Sequence, residues 1–305
     1  MIEIRQSALQ TFLDCRRKYY LQEVLGLVQQ SEEMYPAKHS TAATGTIVHE
    51  PLAQYYSGEL REDITKEELY DICMAKAVEI GRLDQPPSPG RESMVSDWYN
   101  AVEVATIMVD GYLKWVKQEN MDLRFLVQMV EERLRWQVPG TRITITGQID
   151  LVLYDELVKE TGIIDHKTLD KLAIVRPGNF QILTYALLVW KNTGVVPEWG
   201  AHNQLKRNKQ TSRAKPPFYD RKPITINERM LVQHEQMLTS LCQDIEQFAD
   251  SVNEDNHHTT AYPNMTGECN WKCDVMELCD HMHDGPEVWV HIAESHYKER
   301  ETHGS

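Results

Sequence analysis

Gly147-Gln148-Ile149-Asp150 and, beyond a short acidic turn, Gly162-Ile163-Ile164-Asp165-His166-Lys167 are the stretches whose reading decides the fold. In the strand that leads into the first, Ile143, Ile145 and Ile149 alternate with polar residues, and the run continues to Tyr154. Before it, Leu134, Trp136 and Val138 alternate as well, with Pro139-Gly140 between the two runs. Period-two alternation around a Pro-Gly turn predicts a β-hairpin. On the next strand Asp165 and Lys167 share one face while His166 points away, because strand side chains alternate. If these strands pair through the short turn, Asp150 comes beside Asp165. Two carboxylates that close, with a lysine alongside, repel unless a divalent cation sits between them. The bland alternative is a surface pair on an edge strand. Against it stands the apolar run Ile163-Ile164, expected of a buried strand where charges are rarely left without purpose.

Downstream, a helix is expected from about 176 to 190, then a strand near 201–205 and a long amphipathic helix from Asn227 to Val252. Gln181 and Tyr185 lie one helical turn apart on one face of the first of these helices. Strand, strand, helix makes an α/β core. Upstream, Ser7 precedes the apolar pattern Leu9, Phe12, Leu13, Tyr20, Leu21, which predicts a capped helix over 8–24 with Cys15 inside it. A loop then runs to Gly45, with Thr46 as cap of a helix that either begins nearer His49 or bends at Pro51. Thr65-Lys66-Glu67-Glu68 reads as a capping box opening a helix to about 81. A Pro/Gly-rich break over 85–90 and a longer helix over 93–118 complete a helical block.

The formal net charge of −14 over 305 residues excludes a generally basic nucleic-acid coat, so any such contact must be local. The most basic stretch is Lys206, Arg207, Lys209, Arg213 and Lys215, followed by Arg221 and Lys222; a smaller one is Arg16-Arg17-Lys18. Each reads equally well as a solvated basic segment. No secretory leader and no bilayer-spanning run is evident, and a cytoplasmic protein is expected. Three of the six cysteines, Cys269, Cys273 and Cys279, crowd into one short segment, which reads as metal ligation, while Cys73 and Cys242 fall in helix-like apolar patterns as core residues. Glu131 and Glu132 precede the hairpin and either approach the site or, as the favoured reading, are solvated strand residues, and His39, His202 and His234 are expected to be ordinary surface or packing residues.

Four short motifs in order, Gly45-Thr46-Ile47-Val48-His49-Glu50, Gly147 to Asp150, Ile163 to Thr168, and Gln181-Ile182-Leu183-Thr184-Tyr185, together with the cysteines, give a sequence that resembles the RecB-like PD-(D/E)XK nucleases. More narrowly it is similar to the CRISPR-associated iron–sulfur exonucleases and their phage relatives. The resemblance implies an α/β restriction-endonuclease-like core with a helical insertion and a C-terminal four-cysteine iron–sulfur region. It implies Asp150, Asp165, Lys167, Gln181 and Tyr185 as catalytic residues, and His49, Asp150, Asp165 and the carbonyl of His166 as ligands of Mg²⁺ or Mn²⁺. It also implies Cys15, Cys269, Cys273 and Cys279 as ligands of a [4Fe–4S] cluster stapling the first helix to the last segment. Zinc remains open, since His281 or His283 could replace a cysteine and Cys269 and Cys273 are one residue farther apart than the family's usual spacing. Lys206, Arg207, Lys209, Arg213 and Lys215 would contact DNA. The expected organisation is N-terminal helices over 1–59, the insertion over 60–124, the nuclease core over 125–254, the cluster region over 255–285 and a tail over 286–305. The expected activity is metal-dependent exonuclease cleavage of single-stranded DNA ends in recombination, repair or CRISPR-like processing, with proteins of those systems as partners. The alternatives are an end-trimming endonuclease and a non-catalytic iron–sulfur DNA-binding subunit.

Overall fold

A computed structural model describes residues 2–29, 36–61, 63–80, 92–253, 255–267, 269–283 and 286–300. The expected break over 85–90 lies outside them. The chain opens with strand β1 (Ile2–Arg5), α1 (Gln6–Asp14) and α2 (Arg16–Tyr19), the last running into a π turn (Tyr20–Val24), and then β2 (Leu27–Gln29). The single helix expected over 8–24 is thus interrupted at Cys15. Its backbone is extended at φ −162° and ψ 114°, and its thiol accepts the Lys18 N–H at 3.5 Å as a cap for α2. Apolar periodicity does not register such a break, because the pattern resumes in phase on both sides.

Helix α3 (Pro36–Tyr56) begins well before the expected cap at Thr46 and passes through Pro51. An interior proline costs a helix hydrogen bond. Here the fully buried Ile47, Val48 and Leu52 hold the helix against its neighbours, and tertiary packing overrides local preference. Next comes α4 (Lys66–Glu79), with the expected capping box formed by Thr65 and Glu68, and then α5 (Glu92–Gln118). Strands β3 (Phe125–Gln137), β4 (Ile143–Asp155) and β5 (Glu160–Leu169) follow as alternation predicts. Helix α6 (Phe180–Thr193) starts later than expected, because Pro177-Gly178 occupy the turn and Asn179 caps it through Ile182 N–H. Strands β6 (Trp199–Lys206), β7 (Tyr219–Arg221) and β8 (Ile224–Thr225) precede α7 (Glu228–Ser251). The C-terminal part holds α8 (His257–Thr260), α9 (Cys269–Lys272), α10 (Met276–His281), α11 (Pro286–His296) and β9 (Tyr297–Glu299).

The chain forms two compact units, one of residues 33–134 and 147–234, the other of residues 1–32, 135–146 and 235–305. In the larger unit β4 pairs antiparallel with β5, β5 runs parallel to β6 through the α6 crossover, and β7 and β8 close on β6. Gly162 is needed because Trp199 crosses it: an added Cβ would meet that indole at 1.9 Å. A helical core of α3, α4 and α5 gathers around Met108 and Tyr112. In the smaller unit β1 lies parallel to the start of β4, from Ile2 opposite Ile143 to Arg5 opposite Thr146, and Phe12 and Tyr19 meet Phe248 edge-on. Cys73 and Cys242 are both buried core residues. No helix among the described residues is long and apolar enough to cross a membrane.

Candidate functional site

Within the larger unit the four motifs line one cleft of about 710 Å³. The β4–β5 register places Leu151 opposite Ile164, so one step further Asp150 stands across from Asp165. Asp150 is buried, and its Oδ2 accepts the backbone N–H of His166 at 2.6 Å. Burial, with the charges of Asp165 and Glu131 added, pushes its carboxyl up to about 7 against the pull of His49 and the His166 N–H. Asp165 is also buried. Its Oδ1 accepts from Lys167 Nζ and from Gln181 Nε2, each at 3.0 Å, and Lys167 Nζ lies 2.8 Å from Oδ2. Gln181 also donates to the Tyr185 hydroxyl at 3.0 Å. Burial drives the Tyr185 phenol up to about 12, so it stays a neutral donor. Gly147 makes room for that ring: a Cβ there would meet Leu188 at 2.8 Å and Tyr185 at 2.9 Å.

His49, on α3, points Nδ1 at Glu131 Oε1 (3.1 Å) and Asp150 Oδ1 (3.7 Å). Burial lowers its pKa, but the Glu131 hydrogen bond and the charges of Asp150, Glu131 and Asp165 outweigh this and raise it overall. Ligand atoms of His49, Glu131 and Asp150 lie within 4.8 Å of one another, a set of one imidazole and two carboxylates suited to a divalent cation. Of the two readings open for Glu131, the structure bears out its approach to the site over the favoured, solvated one. Its backbone is left-handed at φ +50° within β3, a strained conformation that breaks the strand's alternation, and Oε2 accepts from Gln148 Nε2 at 2.5 Å. Glu132 stays exposed. The His166 ring turns to the other side of β5, where Nδ1 accepts from Asn203 Nδ2 at 2.8 Å and Tyr56 stacks on it at 5.7 Å. Behind this ring Arg221 is buried against Tyr56, Tyr112 and Asp122.

His234 is an ordinary packing residue, hydrogen-bonded to Thr184 at 2.9 Å. His202 stands with Nε2 3.8 Å from Asp165 Oδ2. The His39 side chain lies outside the described residues. The basic stretch does not enter the cleft. Arg207 pairs with Asp170 and Lys209 with Glu103 at 2.6 Å, while Arg221 is committed to the interior.

The four cysteines named from the sequence fall in the smaller unit, each partly exposed. Asn264 N–H donates to Cys15 Sγ at 3.4 Å and Thr266 N–H to Cys269 Sγ at 3.4 Å. Burial raises both the Cys273 and the Cys279 thiols, and Cys15 lies near enough to each to raise them further. Arg17, expected as part of a basic surface, is instead 2% exposed. Its guanidinium donates to the carbonyls of Ala261 (3.0 Å), His258 (3.3 Å) and Cys279 (3.4 Å) and to His283 Nε2 (3.1 Å), with Cys279 Sγ at 3.8 Å. No carboxylate among the described residues pairs with it.

A family model described as the PD-(D/E)XK nuclease superfamily matches residues 4–280, and the chain belongs to that superfamily. Membership brings with it phosphodiester hydrolysis with divalent metals. No curated protein matches the chain significantly. Among solved structures it is similar to a "Putative exonuclease" from Eubacterium rectale, at 12% identity and a TM-score of 0.45, covering 92% of this chain and 87% of that one. It is also similar to SSO0001, at 13% identity and a TM-score of 0.34, covering 72% of this chain and 98% of that one. Both likenesses are distant.

Proposed function

We propose that this protein is a divalent-cation-dependent DNA exonuclease acting at single-stranded ends, in recombination, repair or CRISPR-like DNA processing. The observation that carries the reading is the convergence of His49, Glu131 and Asp150 beside Asp165 and Lys167 in one cleft. A cation held by His49, Glu131, Asp150 and Asp165 would polarise the scissile phosphate and make a bound water more acidic. The His166 N–H fixes the carboxylate of Asp150, and Gln181 fixes that of Asp165. Lys167 is placed to orient the attacking water or to hold the charge that grows on the phosphate. No side chain needs to act as nucleophile. Preference for DNA ends follows the resemblance to iron–sulfur exonucleases.

Cys15, Cys269, Cys273 and Cys279 belong, in this reading, to a [4Fe–4S] cluster. The buried, carboxylate-free Arg17 beside Cys279 supports it, because a buried cation needs an anion and metal-bound thiolates supply one. Zinc fits less well. His283 has its Nε2 engaged by Arg17 rather than free for a metal.

The test is cleavage of end-labelled linear and of circular single-stranded DNA in Mn²⁺, with matched RNA, by the wild type and Asp165→Ala. Linear DNA should be shortened from its ends and circles left intact, while Asp165→Ala falls at least about a hundredfold. Cut circles would make it an endonuclease, and preferred RNA cleavage would refute the DNA assignment. No cleavage would leave a binding subunit. Iron, sulfide and zinc measured on anaerobically purified protein decide the cluster.

A further inference from the structure

Among the described residues, two buried side-chain polar atoms lack a hydrogen-bond partner, and they face each other. Asp165 Oδ2 and His202 Nε2 are 3.8 Å apart. The juxtaposition follows from topology: β5 and β6 are parallel, Asp165 is in register with His202, and in-register residues stand on one face of a sheet. Lys167 Nζ lies 2.8 Å from Oδ2 as an ion pair, but its hydrogen bond goes to Oδ1. No other donor among the described residues reaches this carboxylate besides Gln181, which also holds Oδ1.

This arrangement gives Lys167 two duties. Its ammonium carries three N–H donors, but turning toward water or phosphate draws it away from Asp165 Oδ2. Once it turns, Oδ2 faces the cation of the proposed site with no donor to fix its orientation, unless the imidazole across the strand pair supplies one. We infer that His202 is a positioning residue whose Nε2–H is aimed at Asp165 Oδ2 and closes on it when Lys167 engages substrate, holding the carboxylate in its cation-binding orientation. Hydrogen bonds in resting sites are often long and tighten during the reaction, so 3.8 Å is a starting distance. The proposal rests on the reading of Asp165 as a metal-binding carboxylate.

The experiment measures Mn²⁺ binding by calorimetry, and the Mn²⁺ concentration for half-maximal cleavage, on His202→Leu, His202→Asn, His202→Gln and Asp165→Ala, each checked for folding by circular dichroism. Glutamine places an amide N–H near the position of Nε2, whereas asparagine mimics only the near side of the ring. Loss of an outer hydrogen bond to a ligand weakens metal binding by about 10–100-fold. That loss is expected for His202→Leu and His202→Asn, with most of the affinity restored in His202→Gln. Wild-type affinity in His202→Leu beside a defective Asp165→Ala would overturn the role of His202 alone. Equal losses in the asparagine and glutamine variants would reduce His202 to packing, and this pair decides the matter if the leucine variant does not fold. Wild-type Mn²⁺ affinity in Asp165→Ala would overturn the metal reading of the carboxylate, and His202's part with it.

Discussion

The cleft around Asp150 and the segment around Arg17 are both buried and both electrically unbalanced, but with opposite sign. Four carboxylates, Glu50, Glu131, Asp150 and Asp165, line the cleft against two lysines, Lys76 and Lys167, and two histidines, His49 and His166. Around Arg17 a guanidinium is sealed among carbonyls with a thiol at its edge and, among the described residues, no carboxylate. Burying unmatched charge is expensive, so each site is incomplete as a set of side chains and each calls for its own counter-charge. The carboxylates call for a cation. The guanidinium calls for an anion, which cysteines supply once they are thiolates bound to metal. In the function proposed above, the sign of the surplus would set a cation site for chemistry apart from a thiolate site for architecture.

The comparison breaks most visibly at Arg17. Arg17→Gln leaves several carbonyls without donors and removes the cation beside Cys279, a loss of about 3 kcal/mol or more. The melting temperature should fall by roughly 10 °C, and metal content should fall with it, while Arg17→Lys keeps part of both. Calorimetric melting with iron and zinc analysis reads the result. An Arg17→Gln protein as stable and as metal-rich as the wild type would remove the anion argument.

At the carboxylate end the effect is smaller and has the other sign. The Asp150 carboxyl is raised to about 7 in the fold, mainly by burial, against about 3.9 in the unfolded chain. A group raised in this way contributes stability below about pH 4 and loses it as pH rises through 7, so above 7 the buried charge is a cost. Asp150→Asn, in EDTA, should therefore be more stable than the wild type at pH 8 by about 2 kcal/mol, with the gain shrinking as pH falls toward 4. Added Mn²⁺ should reverse the order by stabilising only the wild type. Melting curves across pH with and without Mn²⁺ test this, and a gain that grows toward acid would contradict it.

The basic stretch should show the least. Arg207 and Lys209 are paired with Asp170 and Glu103 at the surface, where ion pairs are weak and exchange readily. Replacing Lys206, Arg207 and Lys209 together by alanine should weaken single-stranded DNA binding severalfold and flatten the logarithmic salt dependence by about one to two. An unchanged slope would make this loop merely solvated.

The sequence carried the parts of the site whose geometry is local. Asp165 and Lys167 share a face by alternation, Gln181 and Tyr185 by helical spacing, and the Pro139-Gly140 turn announces the hairpin that brings Asp150 toward Asp165. Three features were left undecided by such reading or lay beyond it. Glu131 enters the cleft because a left-handed residue breaks alternation, and no pattern of polar and apolar residues marks where a strand will bulge. His202 meets Asp165 through parallel pairing across an intervening helix, a register that neither strand states alone. Arg17 lies in a run of three basic residues, and only the packing of distant segments distinguishes the buried one from its neighbours.

Arg17 also has a consequence for how the chain is made. Its partners His258 and His283 lie 241 and 266 positions later. At ribosomal rates of about 5–20 residues per second, α1 and α2 wait on the order of tens of seconds before the segment that receives Arg17 emerges. The helices α3, α4 and α5 find one another within their own neighbourhood of the nascent chain. Helices α1 and α2 are thus made long before the segment that buries Arg17, with Leu9, Phe12 and a cation meanwhile open to whatever holds unfinished chains.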